Sequence, residues 1–531
     1  MSKRKRTLLI IIGIVLTALL ILSFYANSII KNKIEALLKE KMPEHLELLY
    51  NDIAVQSLTG TISIENPNLL IKLKDSKLTQ TQLTMKKLVV GNVSYWDYLI
   101  NGQIHVGNIE FKDLETIYFK NRLTQLKDTA STKKENKLLN SIKIDKLNIE
   151  NASAIVYDET KDSLFFSSKN TTILIKDIAL NESSKSNLIP FKYKTIKMEA
   201  DSIFYKTSIY ENINLKHLLF EDQKLTLHGF NYKNKYSKKE YEKLLIIQRD
   251  YYDVTVEKLI INELAVGKEN DSIFLKTNLI SIDKASAAIY RDKFEKEEDL
   301  RLKKLYSRAI RELPIKLTVD SVSVKNSTIE YSEKLLKQYQ AGLLTIKINN
   351  GGITNVSNTY SSPERTVIIV DGIFMKETPF NANWSFDINN TDDQFKFIGH
   401  VGKLELSDMN VFLTPLLNAK VKGEVIASNF TINGNFDESV INISQEFKDV
   451  DVTLLNKKKK EKELLSAVDN AVLNDNSGEK GNLFHNATTQ AKRDRTKSFF
   501  NYLAKNLING VKVNFLRKNN TVTKEKKKKR N

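Results

Sequence analysis

Short runs of alternating apolar and polar residues fill most of the chain between Leu48 and Val452. Alternation with a period of two is typical of a strand that buries one of its faces. Asn, Asp, Ser and Lys residues, several of which favour turns, separate the runs. The pattern therefore predicts a mainly β fold built from many short strands.

One eight-residue pattern recurs among these runs: apolar, any, apolar, two residues, apolar, any, apolar. Strict copies, in which the four intervening positions are also polar, lie at 104–111, 142–149, 317–324 and 404–411. A chain that is 41% apolar would give about two such copies by chance, so the count alone is weak support. Within 142–149 the alternation slips by one step at Asp145 and Lys146. Because such a slip turns side chains to the opposite face, we predict a bulge there that keeps the apolar side chains on one wall.

Sixteen apolar positions of these copies, and of a looser copy at 254–261, are candidates for one apolar wall that could line a lipid groove. They are Ile104, Val106, Ile109, Phe111, Ile142, Ile144, Leu147, Ile149, Val254, Val256, Leu317, Val319, Val322, Val324, Leu404 and Leu406. A sheet with one apolar face must close into a sandwich, be covered, or curl around something apolar. The pattern leaves these three outcomes open.

The amino-terminal residues 7–30 form a long apolar stretch, with no charged residue from Leu8 to Phe24. At 1.5 Å per residue this length suits a helix that crosses a hydrocarbon core of ~30 Å. We expect an uncleaved transmembrane anchor, and a cleaved signal peptide is the alternative. The basic residues of the tip 1–6 predict that this tip is cytoplasmic and that the body lies across the membrane. Anchor positions are Leu8, Ile12, Val15, Leu19 and Leu22.

Further helices are predicted outside the strand-rich body. Residues 31–43 form a membrane-proximal helix that either lies at the membrane surface or packs on the protein. Two charge-rich segments, 234–252 and 292–314, are expected to be helices that either cover an edge of the sheet or connect strands.

The carboxy-terminal residues change in character. Residues 456–497 are polar and expected to be a partly disordered loop, and residues 517–531 form a basic tail. Between them, residues 498–516 predict an amphipathic helix. Its apolar face includes Phe499, Phe500, Leu503 and Leu507. Such a helix suits a lid on the sheet or a membrane surface.

The net charge of +18 is concentrated at the two ends of the chain. Residues 3–6 contribute +4 and residues 517–531 contribute +7, so the body is nearly balanced. A basic nucleic-acid-binding domain would instead carry its charge on the folded body, and we therefore predict no nucleic-acid partner. The chain has no cysteine, which excludes disulfides, thiolate metal sites and cysteine nucleophiles.

No arrangement of residues in the sequence indicates catalysis. Six histidines are scattered without metal-ligand spacing, and no phosphate-binding loop or nucleophile elbow is present. The histidines are His45, His105, His217, His228, His400 and His485. We predict that the protein is not an enzyme and that it has no catalytic residues, no cofactor and no metal site.

The chain resembles the AsmA-like family of Gram-negative envelope proteins, in particular members from Bacteroidota. It has their basic tip, their single amino-terminal anchor and their long β-rich body. Residues 305–333 look like the family's recurrent strand unit, and 343–358 look like the strand that follows it. Residues 398–425 resemble the carboxy-terminal module, and 498–512 resemble its closing helix.

The resemblance implies a fold related to chorein-type bridge-like lipid-transfer proteins. Residues 44–455 would form an elongated, curved antiparallel β-groove, taco-like in section, with the carboxy-terminal module at about 305–455 and a few covering helices. It further implies a single-pass inner-membrane protein with a periplasmic body that moves phospholipid between membranes and supports outer-membrane integrity.

Three functions stay open from the sequence. The first is a lipid-binding groove whose partners are the inner membrane, phospholipid and outer-membrane or other envelope proteins. The second is an envelope scaffold or assembly factor that binds no lipid. The third is an enzyme whose site is too dispersed to recognise.

Overall fold

The computed structural model describes residues 3–40, 42–73, 77–95, 97, 100, 103–122, 142–180, 188–294, 296–335, 340–360, 364–455, 476–477 and 484–515. Within these residues the fold is mainly β, with 25 strands and five α-helices, which confirms the predicted class. The chain forms two compact units. Unit 1 is Met1–Asn231 with Asn262–Ile273, and unit 2 is Tyr232–Ile261 with Phe274–Asn531.

The strands of unit 1 form a mixed sheet. They are β1 (Leu46–Leu49), β2 (Asp52–Gln56), β3 (Thr61–Glu65), β4 (Asn68–Lys72), β5 (Thr79–Thr84), β6 (Lys87–Val93), β7 (Ile104–Lys112), β8 (Glu115–Phe119), β9 (Ile142–Tyr157), β10 (Leu164–Leu180), β11 (Thr195–Lys206), β12 (Glu211–Glu221), most of β13 (Lys224–Asn234), and β15 (Ala265–Glu269). The long strand β9 pairs with β7 over its first half, with β8 over its second half, and with β10 on its other side. The short strands therefore lie end to end in two rows, β2-β3-β6-β7 and β1-β4-β5-β8.

Unit 2 contains longer strands. They are most of β14 (Asp250–Asn262) and β16 (Ser272–Asp292), then β17 (Lys316–Lys334), β18 (Gly342–Ser357), β19 (Arg365–Phe374), β20 (Thr378–Asp387), β21 (Phe395–Val401), β22 (Leu404–Glu405), β23 (Ala419–Gly434), β24 (Glu438–Leu454) and β25 (His485–Lys492). From β17 to β21 each strand pairs antiparallel with the next, and β21 and the short β22 both pair with β23. The series ends with β24 and β25.

The prediction of a purely antiparallel groove is wrong, because each unit contains parallel pairs. β7 and β8 lie parallel to β9, and β16 lies parallel to β17. Parallel neighbours require a crossover of a dozen or more residues. Residues 120–141 and 293–315 supply connections of that length. Alternation along one strand carries no information on the direction of its neighbour, so the sequence pattern did not distinguish the two cases.

The described helices are α1 (Lys3–Glu40), α2 (Lys238–Leu244), α3 (Tyr306–Arg311), α4 (Asn410–Leu417) and α5 (Phe499–Phe515). The last of these confirms the helix predicted at 498–516. The helices predicted at 234–252 and 292–314 are much shorter than expected. A capping box between Ser237 and Glu240 begins α2, and β14 starts at Asp250. In the second segment, Lys303 N–H donates to Arg495 O, and the chain there runs along the carboxy-terminal region instead of coiling.

At the amino terminus, residues 31–40 continue the preceding residues as the single helix α1, although the sequence predicts a separate helix at 31–43. The helix contacts β2 and the residue that follows it: the Asn27 side-chain oxygen accepts from Ser57 N–H at 2.6 Å, and Lys31 Nζ lies 2.6 Å from the Asp52 carboxylate. Among the residues whose side chains the structure describes, no helix has both the length and the apolar character needed to cross a membrane. The side chains of Leu8, Ile12, Val15 and Leu19 lie outside the described part, and Leu22 is exposed.

The bulge predicted at Asp145 and Lys146 is not found in β9 itself. The register of β9 against β10 is the same on both sides of that point, at Ile144–Ile178 and at Leu147–Ile175. The departure from regular geometry in this row lies on neighbouring strands. Asn92 in β6 and Asp177 in β10 both have φ 54°. The sequence of β9 therefore predicted the position of the irregularity across the sheet correctly, but the irregular residues lie on β6 and β10 and not on β9.

In β9 the backbone turns left-handed at Asn151, φ 51°, six residues after the predicted point. Its neighbours do the same at Asp113 (φ 52°) and Asn170 (φ 49°). Asn and Asp adopt this region more readily than other residues that carry a Cβ. The Asn151 amide donates to the Asp113 carboxylate at 2.6 Å, so the three strands change direction at one polar row. In unit 2 the paired strands β16 and β17 do so at Lys284 and Asn326.

Two predictions near the carboxy terminus also change. Residues 404–411 were expected to form two strands around a bulge, but after β22 they form a 3-10 turn (Leu406–Met409) and the start of α4. The Asn410 side chain holds that start in place by bonding both the N–H and the C=O of Val421. Within the predicted loop 456–497, His485–Lys492 form β25. Residues 456–475, 478–483 and the basic tail 517–531 lie outside the described residues.

Candidate functional site: an apolar chamber in unit 2

The sequence-predicted wall residues of unit 1 lie side by side on adjacent strands. Four residues of β7 are in parallel register with four of β9. The pairs are Ile104–Ile142, Val106–Ile144, Ile109–Leu147 and Phe111–Ile149. Val106 is buried, whereas Ile104 at the strand end is 37% exposed. The structure thus brings these eight residues together in four apolar rows.

Sequence reasoning missed the continuation of these rows into β10. Ile178, Ile175 and Ile173 pair with Ile144, Leu147 and Ile149, and both Ile178 and Ile175 are buried. The signal was present, because residues 173–180 follow the same eight-residue pattern. They were not recognised because Leu174 and Ala179 are apolar at positions where the strict pattern requires polar residues.

The predicted wall residues of unit 2 lead to a different environment. Val322 begins a row that crosses the sheet from β17 to β24 and ends at Ile441; its members are Val322, Ile353, Ile368, Trp384, Phe397, Ile432 and Ile441. Leu317, Val319 and Val324 lie on the same strand, and Val319 is buried. Val254 and Val256 lie in β14, where Val256 is buried and Val254 is half-buried.

At the far end of that row, α5 packs into a solid interior that we call the filled core. It contains Trp384, Phe386, Phe395, Ile432, Ile441, Phe499, Tyr502 and Leu503, all less than a tenth exposed. Phe499 stacks on Trp384 with ring centroids 4.3 Å apart. These buried residues pack against one another, so this part of unit 2 is a packed hydrophobic core.

Beside the filled core, the same sheet leaves a cavity that we call the chamber. Its volume is ≈ 480 Å³. Strands β18 to β24 form its floor, and α4, the 3-10 turn before it and the last turns of α5 form its walls. Nearly every residue that lines it is apolar; the polar ones are Ser428, Gln445 and Lys512. A cavity of this volume and lining is the type that binds small apolar ligands.

Three of the sequence-predicted residues line the chamber. Leu404 and Leu406 lie at its wall; Leu404 is in the short strand β22 and Leu406 begins the 3-10 turn, whereas the sequence pattern predicts two strands around a bulge. Leu507 lines it from α5. The other predicted lid residues lie elsewhere: Phe499 and Leu503 are in the filled core, and Phe500 is 62% exposed.

Helix α4 supplies lining residues that the sequence analysis did not name. Met409, Leu413 and Leu417 recur at helical spacing and face the chamber. This spacing of four is the signal that would have found them. The pattern at 404–411 predicts strands, in which side chains on one face recur every two residues, so the spacing of four between Met409 and Leu413 was overlooked.

The polar residues at the chamber are held by the protein. The Asn514 side-chain amide donates to the Gln445 side-chain oxygen at 3.0 Å, and the Asn514 side-chain oxygen lies 3.1 Å from His485 Nδ1. Gln445 in turn pairs across the sheet with Ser428. These contacts attach the end of α5 to β24 and β25, so the wall that α5 provides has a fixed position.

One cluster of titratable groups lies in unit 1, around His105. His105 Nδ1 is 2.8 Å from Asp97, and His105 Nε2 is 2.8 Å from Asp145. The hydrogen bonds to Asp145 and then to Asp97 raise the pKa of His105. Hydrogen bonds from Ser94 and from His105 lower the pKa of Asp97. The cluster ties the segment before β7 to the sheet.

Within the described residues, no group of three or more His, Asp or Glu side chains is placed to hold a metal ion. The arrangement that stands out chemically is therefore the chamber, which can exclude water from an apolar molecule. No family model matches the sequence, and no match was found among curated proteins.

Proposed function

We propose that this protein binds lipid and shields acyl chains from water. The observation that carries the proposal is the chamber, a cavity of ≈ 480 Å³ with an almost wholly apolar lining. Each methylene that moves from water into such a lining stabilises the bound state by about 0.8 kcal/mol. An acyl chain therefore supplies enough free energy for binding without any specific polar contact.

The apolar rows of unit 1 support a wider role. Ile144, Leu147 and Ile149 each pair on both sides with apolar residues of β7 and β10, so each of these apolar rows is three strands wide. We propose that these rows belong to an elongated, curved, taco-like groove along which acyl chains pass while headgroups stay in water. Transfer would be passive, since one apolar environment replaces another.

The amino-terminal sequence supports a location for this activity. Residues 7–30 would anchor the protein in the bacterial inner membrane, with the tip 1–6 in the cytoplasm and the body in the periplasm. There it would contribute to phospholipid transport between membranes and to outer-membrane integrity, as its resemblance to AsmA-like proteins implies. Outer-membrane or other envelope proteins would receive the lipid.

Native mass spectrometry of the full chain, purified in mild detergent, tests lipid binding. We expect phospholipid to remain bound to the wild-type chain. Leu413→Asp, which places a carboxylate in the chamber wall, should lower lipid retention several-fold because a charge in an apolar cavity is costly. Val411→Asp is the matched control. Val411 lies on the same helix but is 52% exposed, so this change should leave lipid retention unaltered.

The second candidate function is a scaffold that organises envelope proteins and binds no lipid. The filled core favours it, because a sheet whose interior is solid cannot conduct lipid. Absence of bound lipid from the wild-type chain, with unchanged envelope permeability in cells carrying Ile144→Asp, Leu147→Asp and Val322→Asp, would support the scaffold and overturn the lipid proposal.

A further inference from the structure

We propose that Phe430 sets the length of the acyl chain that the chamber accepts, by forming a stop against which the methyl end of the chain rests. This inference rests on the proposed function, since it concerns the same chamber. It adds a specificity-determining residue and an orientation for the ligand.

Phe430 stands at the boundary between the hollow and the solid parts of unit 2. It lines the chamber and is also a member of the filled core. Ile443, its partner on β24, belongs to both as well. The next pair along these strands, Ile432 and Ile441, is fully buried in the filled core. The chamber therefore ends at Phe430.

The ring of Phe430 is held in place on two sides. It stacks on Phe397 with centroids 6.1 Å apart and an interplanar angle of 6°. It also covers Gly399 on the neighbouring strand, where an added Cβ would lie 2.2 Å from the ring. Gly399 thus provides the space in which the ring lies flat. A ring held in this way is a firm stop and not a mobile gate.

The dimensions agree with one acyl chain. The chamber follows β24 from Ile443 to Val452, which spans about 30 Å at most at ~3.3 Å per residue. A bilayer core of ~30 Å contains two chains end to end, so one chain needs about 15 Å. A single chain that reaches Phe430 therefore fits within the chamber.

The surroundings of Phe430 also fix the orientation of the chain. A charged headgroup loses its hydration when buried and needs several polar partners in return. Near Phe430 the polar residues of the lining are Ser428, which has a hydroxyl, and Gln445, whose side-chain oxygen already accepts from the Asn514 amide. The methyl end is consequently the end that lies against Phe430.

The test measures binding of saturated fatty acids, and separately of lysophosphatidylglycerols, of increasing chain length to the delipidated full chain in detergent. Each methylene that is buried should strengthen binding about fourfold until the chain meets Phe430, after which the gain stops. Both series should stop at the same length, because the stop acts on the methyl end. A stop that depends on the headgroup would overturn the proposal.

Three variants locate the stop. Phe430→Leu should move it to longer chains, and Leu507→Trp, which fills the same end of the chamber from α5, should move it to shorter chains. Phe386→Leu is the matched control, since Phe386 is buried in the same filled core but does not line the chamber and packs on Trp384; it should leave the preferred length unchanged. Circular dichroism verifies that each variant is folded.

The outcomes separate this inference from the proposed function. If all folded variants bind acyl chains with the wild-type length preference, Phe430 is not the stop, although lipid binding stands. If the Phe386 variant shifts the preference as much as the Phe430 variant, a general loosening of the core is responsible and Phe430 is not the stop. If the wild-type chain binds neither series, the proposed function itself fails.

Discussion

At the residue scale, left-handed Asn and Asp residues decide where strands change direction. Asn151 bends β9, and its amide bonds the Asp113 carboxylate at 2.6 Å on the adjacent bend. The apolar pattern of 142–149 drew attention to Asp145 and Lys146 instead. The pattern shows only that the side-chain phase changes, whereas the geometry of the bend depends on which residue tolerates a positive φ.

Replacing Asn151 with Val should destabilise the protein by about 1–3 kcal/mol, because a β-branched residue at φ 51° is strained and the bond to Asp113 is lost. Asn151→Gly, which relieves the strain but loses the bond, should cost less. Asn148→Val on the same strand is the control, since Asn148 has an ordinary φ. Urea unfolding of the full chain in detergent measures all three, and equal costs for Asn151→Val and Asn148→Val would contradict the argument.

His105 makes one contribution to stability depend on pH. Because its pKa is raised in the folded protein, its bonds to Asp145 and Asp97 stabilise the fold fully below the unfolded value of about 6.5, and this contribution is lost as pH rises through the folded pKa. His105 and its two carboxylate partners are partly exposed, so this contribution to the free energy of unfolding is about 1 kcal/mol or less.

The midpoint of thermal unfolding, followed from mildly acidic to alkaline pH, tests this dependence. We expect the wild-type midpoint to fall more than that of His105→Gln across this range. Lys143, which also lowers the pKa of Asp97, is present in both proteins and does not add to the difference. Identical pH profiles for the two proteins would show that the His105 cluster contributes nothing.

At the element scale, the face of α5 predicted from its apolar residues is not the same as the face that packs on the sheet. The sequence placed Phe499, Phe500, Leu503 and Leu507 on one face. The side of α5 that packs on the sheet includes Phe499 and Leu503 but also Asn506, Gly510 and Asn514, all buried, whereas Phe500 is exposed. Gly510 permits the close approach, since an added Cβ would lie 2.9 Å from Ile443.

The buried amides fix the position of α5 along the sheet. Ser439 Oγ donates to the Asn506 side-chain oxygen at 2.9 Å, and the Asn506 amide donates to Tyr502 O. Replacing Asn506 with Leu leaves the Ser439 hydroxyl without this acceptor in a buried place, which should cost about 1–3 kcal/mol.

Hydrogen exchange of the α5 amides is the sensitive measurement, since loss of this contact should speed exchange in α5 before other parts of unit 2. Asn501→Ala is the control, because Asn501 is exposed on the same helix. Unchanged exchange in the Asn506 variant would mean that the aromatic contacts alone hold α5.

At the scale of the whole molecule, each part of the chain has a separate place in the proposed function: an anchor, an apolar wall in unit 1, and a chamber in unit 2. The chain has no cysteine, so a single introduced cysteine can be labelled without interference. In intact spheroplasts, a membrane-impermeant maleimide should label Asp271→Cys, whose side chain is 94% exposed, and should not label Ser2→Cys until the membrane is permeabilised. Labelling of both sites in intact spheroplasts would contradict the proposed orientation.

Some features of this protein could be determined from the sequence because they depend on neighbours along the chain. Alternation with a period of two predicted strands at 104–111 and 142–149, and a run with helical spacing predicted α5. These local patterns record which residues face an interior, since burial of apolar surface is what each pattern reflects. The rows of apolar residues in unit 1 combine these local patterns with a strand register that only the structure shows.

Other features depend on contacts between distant residues, and only the tertiary structure decided them. The parallel pairing of β16 with β17, the change of Leu406 from strand to turn, and the burial of Asn506 all require partners far away in sequence. The filled core and the chamber use the same kind of apolar residue on the same strands. Whether such residues close on one another or leave a cavity depends on where α4 and α5 lie, because a side-chain pattern specifies what is buried but not what it is buried against.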